Sequence, residues 1–200
     1  EFQERKILGD TSMRNYYSGF VMPGQFKETV EDNGYALVIE ETESSFDRDY
    51  ADWPAQYATE NDVPEKRWVS VKTALHDLNT RKTHFVKVPE NHIVIDFDLR
   101  GPRGGKDLDR NLEEASLWPP TYAEISKSGG GVHLHYTYEG DVTLLDKVFS
   151  EGIEVKVYTG GAALRRKLTK CNALPVATLN SGLPIKEKKV LTDKTIQSEA

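Results

Sequence analysis

The sequence predicts an α/β (α+β) sandwich, and three observations carry that prediction. Strand-like and helix-like segments alternate from residue 70 onward, and the helical ones are of a size that covers one side of a sheet. Three strand-like segments share one pattern, apolar on one face and ionisable on the other. The 200 residues are 38% hydrophobic with 3 Trp, 9 Tyr and 7 Phe, enough aromatic mass for a sizeable core despite a mean hydropathy of −0.58.

In chain order, 35–39 reads as a short strand after turn signals at Pro23-Gly24 and Asn33-Gly34. Residues 70–80 place apolar side chains at 71, 74, 75 and 78, which predicts a helix behind a Ser70 N-cap. Residues 83–88 and 92–99 read as strands, 100–106 as a loop, and 107–117 as a helix capped by Asp107. Pro119-Pro120 forces an extended entry into strands at 122–125 and 132–138. A helix is predicted over 142–149, ending at Gly152, followed by strands at 153–158 and 175–179. The organisation expected is a variable N-terminal module over 1–82, a main unit over 83–185, and a Lys-rich tail or linker over 186–200.

Charge and composition narrow the function classes. The net charge of −6 hides an asymmetry: residues 28–62 hold eleven acids and one base, whereas 151–200 hold nine bases and five acids. Whole-chain acidity therefore excludes no partner. The acidic segment is expected to lie away from any template path. No apolar run reaches the roughly 18 residues a membrane span requires, and no signal peptide is visible, so a cytoplasmic protein is expected. A single cysteine, Cys171, excludes an internal disulfide, and the five histidines do not group with it in zinc spacing.

The chemistry concentrates on the three two-faced strands. In 93–99 the apolar face is Ile93, Ile95, Phe97 and Leu99, opposite Asp96 and Asp98. In 132–136 His133 and His135 oppose Val132, Leu134 and Tyr136. In 153–158 Glu154, Lys156 and Tyr158 oppose Ile153, Val155 and Val157. Asp96 and Asp98 lie about 7 Å apart along a strand and repel by roughly 2 kcal/mol at an effective dielectric near 20. Mg²⁺ or Mn²⁺ would relieve that repulsion, and Glu154 would supply a third carboxylate to complete a two-metal site. The Asp-x-Asp pattern occurs three times (47/49, 96/98, 107/109), but only the middle one sits in an apolar strand. Between the strands, Ser126-Lys127-Ser128-Gly129-Gly130-Gly131 is a hairpin loop whose glycines free backbone N–H groups to approach an anion, with Lys127 and Ser128 beside them. After the third strand, Gly160-Gly161 and the basic triplet Arg165-Arg166-Lys167 suit phosphate contacts. Lys156, two residues from Glu154, suits a salt bridge slightly better than a phosphate contact.

Taken in order, these elements resemble the motifs of the archaeo-eukaryotic primase superfamily, most closely its phage- and plasmid-type primase-polymerase domains. Ile95-Asp96-Phe97-Asp98 matches the hydrophobic-Asp-hydrophobic-Asp motif. Ser128-Gly129-Gly130-Gly131-Val132-His133 matches the Ser-x-Gly-x-His type with one extra glycine. Ile153-Glu154-Val155 matches the carboxylate between apolar residues, with Glu in place of the commoner Asp. The resemblance spans about 83–185. It implies an RRM-like palm sheet with helices on one face beside an N-terminal α/β module. Asp96, Asp98 and Glu154 would hold two Mg²⁺ or Mn²⁺ ions. His133, the loop 127–131 and, as weaker candidates, Arg165, Arg166 and Lys167 would contact a nucleotide. The activity implied is DNA primase or DNA polymerase nucleotidyl transfer of dNTPs or NTPs on single-stranded DNA with a primer strand, in a bacterial host cell if phage or plasmid encoded. No zinc is expected, and a helicase or accessory domain would follow the tail.

Two other readings stay open. His133-Leu134-His135 also resembles the His-hydrophobic-His signature of rolling-circle and relaxase endonucleases, with His135 as a ligand and Tyr158 or Tyr136 as nucleophile. A non-catalytic nucleic-acid-binding domain is the third, although the aromatic, Gly- and Arg/Lys-bearing strand motif of such domains is not seen.

Overall fold

The computed structural model describes residues 37–187 and forms a mixed α+β structure of two mostly antiparallel sheets with few helices. The elements are α1 (Ser45–Asp49), β1 (Ala55–Tyr57), β2 (His84–Val86), β3 (His92–Phe97), α2 (Leu108–Ala115), β4 (Ala123–Ile125), β5 (Val132–Tyr138), β6 (Val148–Ser150), β7 (Ile153–Val157), β8 (Leu164–Arg166) and β9 (Ala177–Leu179). The large sheet runs β4-β5-β3-β7-β6, with β9 added parallel to β5. The small sheet runs β1-β2-β8, so it draws strands from both sides of residue 82.

The apolar face of the large sheet forms the main core. Ile93, Ile95 and Phe97 of β3, Val132, Leu134 and Tyr136 of β5, and Ile153 and Val155 of β7 are all buried there. Helix α2 covers this face through Leu108, Leu112 and Ala115, a stripe at helical spacing. Asp107 caps it as expected, its Oδ1 accepting from the Arg110 amide at 3.1 Å. Trp118 closes one side, edge-on to Phe97 and 4.7 Å centroid to centroid from Phe149.

The opposite face of the large sheet is divided. At one end the small sheet and α1 close over it. Phe46, Val86, Leu164, Val94 and Tyr158 form a second core there. At the other end, toward the C-terminus of β3, the face stays accessible.

Two predicted helices do not form. Residues 70–80 give 3₁₀ turns at Trp68–Ser70 and Leu75–Asp77, and Ser70 caps nothing. Their amides and carbonyls are taken by the neighbouring segment instead: Ala55 N donates to Thr73 O, Leu75 N to Trp53 O and His76 N to Ala51 O. Apolar spacing alone could not weigh that competition. Residues 142–149 split into a 3₁₀ turn (Val142–Leu144) and β6. Here Asp146 N donates to Pro184 O and Lys186 N to Leu144 O, and Val148–Ser150 pairs with β7. Gly152, at φ +75°, makes the β6–β7 turn rather than a helix C-cap. A Cβ there would lie 2.8 Å from Leu99 Cδ2.

Of the strand expected at 35–39, residues 35 and 36 lie outside the described residues, and 37–39 form no strand. The two N-terminal turn signals and most of the expected tail also fall outside them. No helix among the described residues is long and apolar enough to cross a membrane.

Candidate functional site

The site is built by strand register. Asp96 lies directly opposite His133 of β5 on one side and Glu154 of β7 on the other. Paired residues in antiparallel strands bring their side chains together on one face, so these three cluster at the accessible end. Asp98 follows just past β3, its amide donating to Gly152 O at 2.7 Å.

Two like charges directly opposite each other destabilise a sheet, and cations offset them here. Lys156 Nζ lies 2.9 Å from Glu154 Oε1 and 3.6 Å from Asp96 Oδ2, so Lys156 makes the salt bridge expected of it. His133 Nε2 stands 3.2 Å from Asp96 Oδ1. Burial pushes the Asp96 carboxyl up. The His133 hydrogen bond and the charges of His133, Lys156 and Lys106 outweigh it and hold the group below the usual carboxylate range. Burial likewise opposes the Lys156 charge, and Glu154 and Asp96 together raise its pKa.

Lys106 Nζ lies 2.8 Å from Asp98 Oδ1, at an angle that leaves this buried oxygen without an aligned hydrogen bond. Asp98 Oδ1 is thus a buried carboxylate oxygen with spare capacity, a hard donor of the type that Mg²⁺ or Mn²⁺ takes. Among the described residues no group of three or more His, Cys, Asp or Glu side chains is arranged to hold a metal ion. The Lys156 and Lys106 ammonium groups supply the counter-charge.

Two clefts meet at this ridge, and Asp96 and Lys156 line both. One, about 540 Å³, also takes in Lys106, Ser126–Ser128, His133, Tyr158 and Arg165–Lys167. The other, about 450 Å³, includes Asp98, Arg100, Arg110 and Glu154. The first therefore gathers most of the candidate nucleotide-binding residues.

The glycine loop works differently from expectation. Gly129 N donates to Ser126 O and Gly131 N to Ser126 Oγ, both at 2.9 Å, so these amides already have partners within the loop. The glycines instead permit close packing. A Cβ on Gly131 would lie 2.9 Å from Phe97 O, and one on Gly130 would lie 2.6 Å from Lys106 Cβ. The loop is thereby pressed against the end of β3, with Lys127 and Ser128 at the cleft.

Arg166 is also put to another use. It is buried, and it bonds Glu124 through Nε (2.6 Å), Asp47 through Nη1 (2.6 Å), and Ser44 and Tyr122 through Nη2 (3.2 Å each). Its guanidinium also lies 4.5 Å from the centroid of the Phe46 ring. Burial opposes the charge, but Glu124, Tyr122 and Asp47 outweigh it and keep Arg166 protonated. Alternation along β8 explains the split: Arg165 is exposed and its neighbour is inside. Arg166 thus holds the small sheet to the large one and is not free to meet a phosphate.

One residue of the acidic segment, Asp62, reaches the clefts. Asp62 Oδ2 contacts Lys127 Nζ at 2.9 Å and Arg165 Nη1 at 2.5 Å, at the edge of the larger cleft.

His135 does not join the site. It is fully buried at the covered end, its Nδ1 bonded to His92 Nε2 at 3.0 Å and its Nε2 3.8 Å from Glu124 Oε1. Burial holds both histidines neutral, their pKa values well below the ordinary one. Tyr158 reaches the cleft, but burial, Asp96 and Glu124 raise its phenol pKa. Tyr136 is buried and donates to Pro119 O at 2.6 Å.

Asn111 is the positioning residue the sequence reading missed. Buried on α2, it accepts from Leu99 N at 2.8 Å and donates to Leu99 O at 3.2 Å and Gly130 O at 2.8 Å. It ties the chain after Asp98 to the glycine loop. The available signal was an amide at position 111 within the apolar stripe 108, 112, 115.

No known family model matches the chain, and no curated protein matches it either.

Proposed function

We propose that this protein is a template-directed nucleotidyltransferase, a DNA primase-polymerase catalytic domain with the palm of the archaeo-eukaryotic primase superfamily. The observation that carries the reading is the cross-strand triple His133–Asp96–Glu154 on the ridge between two clefts that both hold basic side chains.

In this reading the larger cleft takes the triphosphate of a dNTP or NTP. His133, Lys127, Ser128, Arg165 and Lys167 meet its oxygens. The smaller cleft takes the primer and single-stranded template, with Arg100 and Arg110 available to backbone phosphates. Asp96, Asp98 and Glu154 would be the residues to hold Mg²⁺ or Mn²⁺, which would supply Lewis-acid stabilisation of the charge that develops on the phosphate oxygens. The primer 3′-hydroxyl gives its proton to water, its oxygen forms a bond to the α-phosphorus, the α–β phosphoanhydride bond breaks, and pyrophosphate departs with the electron pair. Lys156, which pairs with Glu154 and Asp96, would give up those contacts where a cation binds.

The endonuclease alternative has less support. Its second histidine is sealed behind Phe46 and Tyr122, and its candidate tyrosines are held as neutral phenols or bonded to backbone.

The test is extension of primed and unprimed single-stranded DNA with labelled nucleotides and Mg²⁺ or Mn²⁺. Extension that disappears in Asp96→Ala is expected. Cleavage with a covalent adduct lost in Tyr158→Phe would replace this reading with the endonuclease.

A further inference from the structure

Asp62 sits in a turn whose geometry is unusual for its residue type. Its φ is +63°, and among the described residues it is the one non-glycine in the left-handed region. Such a conformation costs a side-chain-bearing residue stability and is best tolerated by Asn and Asp. The turn is fastened on both sides: Asp62 N donates to Thr59 O and Thr59 N to Val63 O, each at 2.9 Å. It holds the carboxylate forward. One oxygen of that carboxylate, Oδ2, then receives both Lys127 Nζ and Arg165 Nη1.

An ammonium and a guanidinium converging from two separate elements on a single oxygen is the arrangement that recognises a phosphate oxygen. Lys127 comes from the glycine loop and Arg165 from β8. Both line the larger cleft, and Lys127 also lines a neighbouring one of about 530 Å³ that holds Asp62, Tyr57 and Lys82. The Asp62–Lys127 pair therefore stands as the partition between two cavities.

We propose that Lys127 and Arg165 form a polyphosphate subsite, and that Asp62 is its resident competitor. Its carboxylate stands in for a phosphate oxygen and is displaced when a nucleoside triphosphate or other polyphosphate enters. The nucleotide as occupant rests on the proposed function; the competition itself rests only on the Asp62 geometry. Displacement exchanges one anion for another. The two cations are therefore never left unpaired, and weakly binding monoanions are screened out. It also opens the larger cleft toward Tyr57 and Lys82.

The probe is inorganic tripolyphosphate, titrated calorimetrically into the full chain. Asp62→Asn keeps a residue that accepts positive φ and removes the competing charge, so the turn is preserved. It is expected to bind tripolyphosphate about three- to tenfold more tightly than the wild type, the range set by exposed ion pairs. Adding Lys127→Ala and Arg165→Ala is expected to abolish that gain. Unchanged or weaker binding by Asp62→Asn overturns the proposal, as does a gain that survives loss of both cations, or absence of binding in every variant. Tighter binding by Asp62→Asn in a protein that extends no primer leaves this inference standing without the polymerase reading. Extension by a protein whose Asp62→Asn variant shows no gain removes only the competitor.

Discussion

The polar face of the large sheet is closed at one end and open at the other, and the same strand pattern serves opposite purposes at the two ends. At the closed end His135, His92, Glu124 and Arg166 lie under Phe46 and the small sheet. Most polar atoms there are paired within the protein, His135 Nε2 and Asp47 Oδ1 being the buried side-chain atoms without an aligned hydrogen bond, and the Arg166–Glu124–Tyr122–Ser44 cluster joins three segments of the chain. At the open end Asp96, Glu154 and Lys156 are part-exposed, and their counter-charges are lysines on flexible stems. Buried charges that are fully paired make a structural clamp, because nothing can replace their partners without a large desolvation cost. Part-exposed charges held by mobile cations can exchange those partners for a ligand.

The contrast can be broken most forcefully at the closed end. Glu124→Gln leaves Arg166 buried with Asp47 as its remaining carboxylate. The expected loss is about 3–5 kcal/mol of unfolding free energy, read from urea denaturation. At the open end Asp96→Asn is expected to lower primer extension by at least about a hundredfold with little change in the same denaturation curve. A stability loss of similar size at both ends would erase the distinction.

The pH response separates the ends again. His92 and His135 are held neutral in the folded protein, with pKa values well below 6.5. The unfolded chain therefore binds protons first as the pH falls. Their contribution is complete above about pH 6.5 and declines below it, by up to about 1.4 kcal/mol per pH unit for each histidine. Urea midpoints measured from pH 7.5 to 5 are expected to fall across that window, and to fall less steeply in His135→Gln. The smallest effect is expected for Lys156→Met. Asp96 then regains a pKa nearer the ordinary carboxylate value, visible by NMR titration, while stability changes by no more than about 1 kcal/mol because the pair is part-exposed.

Much of the open end was legible from alternation along single strands. Asp96, His133 and Glu154 were placed on one face because each stands in a strand with a strictly apolar opposite side, and register did the rest. The closed end was not legible. It is covered by three strands of three residues each, drawn from positions 55, 84 and 164, too short and too far apart to announce a sheet. That cover separates His135 from His133 and Arg166 from Arg165, distinctions invisible in the motifs themselves. The two helices that failed lie where distant backbone segments, 51–55 and 184–186, compete for the same amides. Local periodicity carries no information about such partners.

In the proposed function Asp96, Asp98 and Glu154 would exchange their lysine partners for divalent cations. Titration of the protein with Mn²⁺, followed by loss of the free-ion electron paramagnetic resonance signal, tests it directly. The expected result is binding by the wild type that is lost in Asp96→Asn and retained in Tyr158→Phe, whose changed group lies outside the carboxylate set. Absence of Mn²⁺ binding by the wild type, or binding undiminished in Asp96→Asn, would contradict the claim.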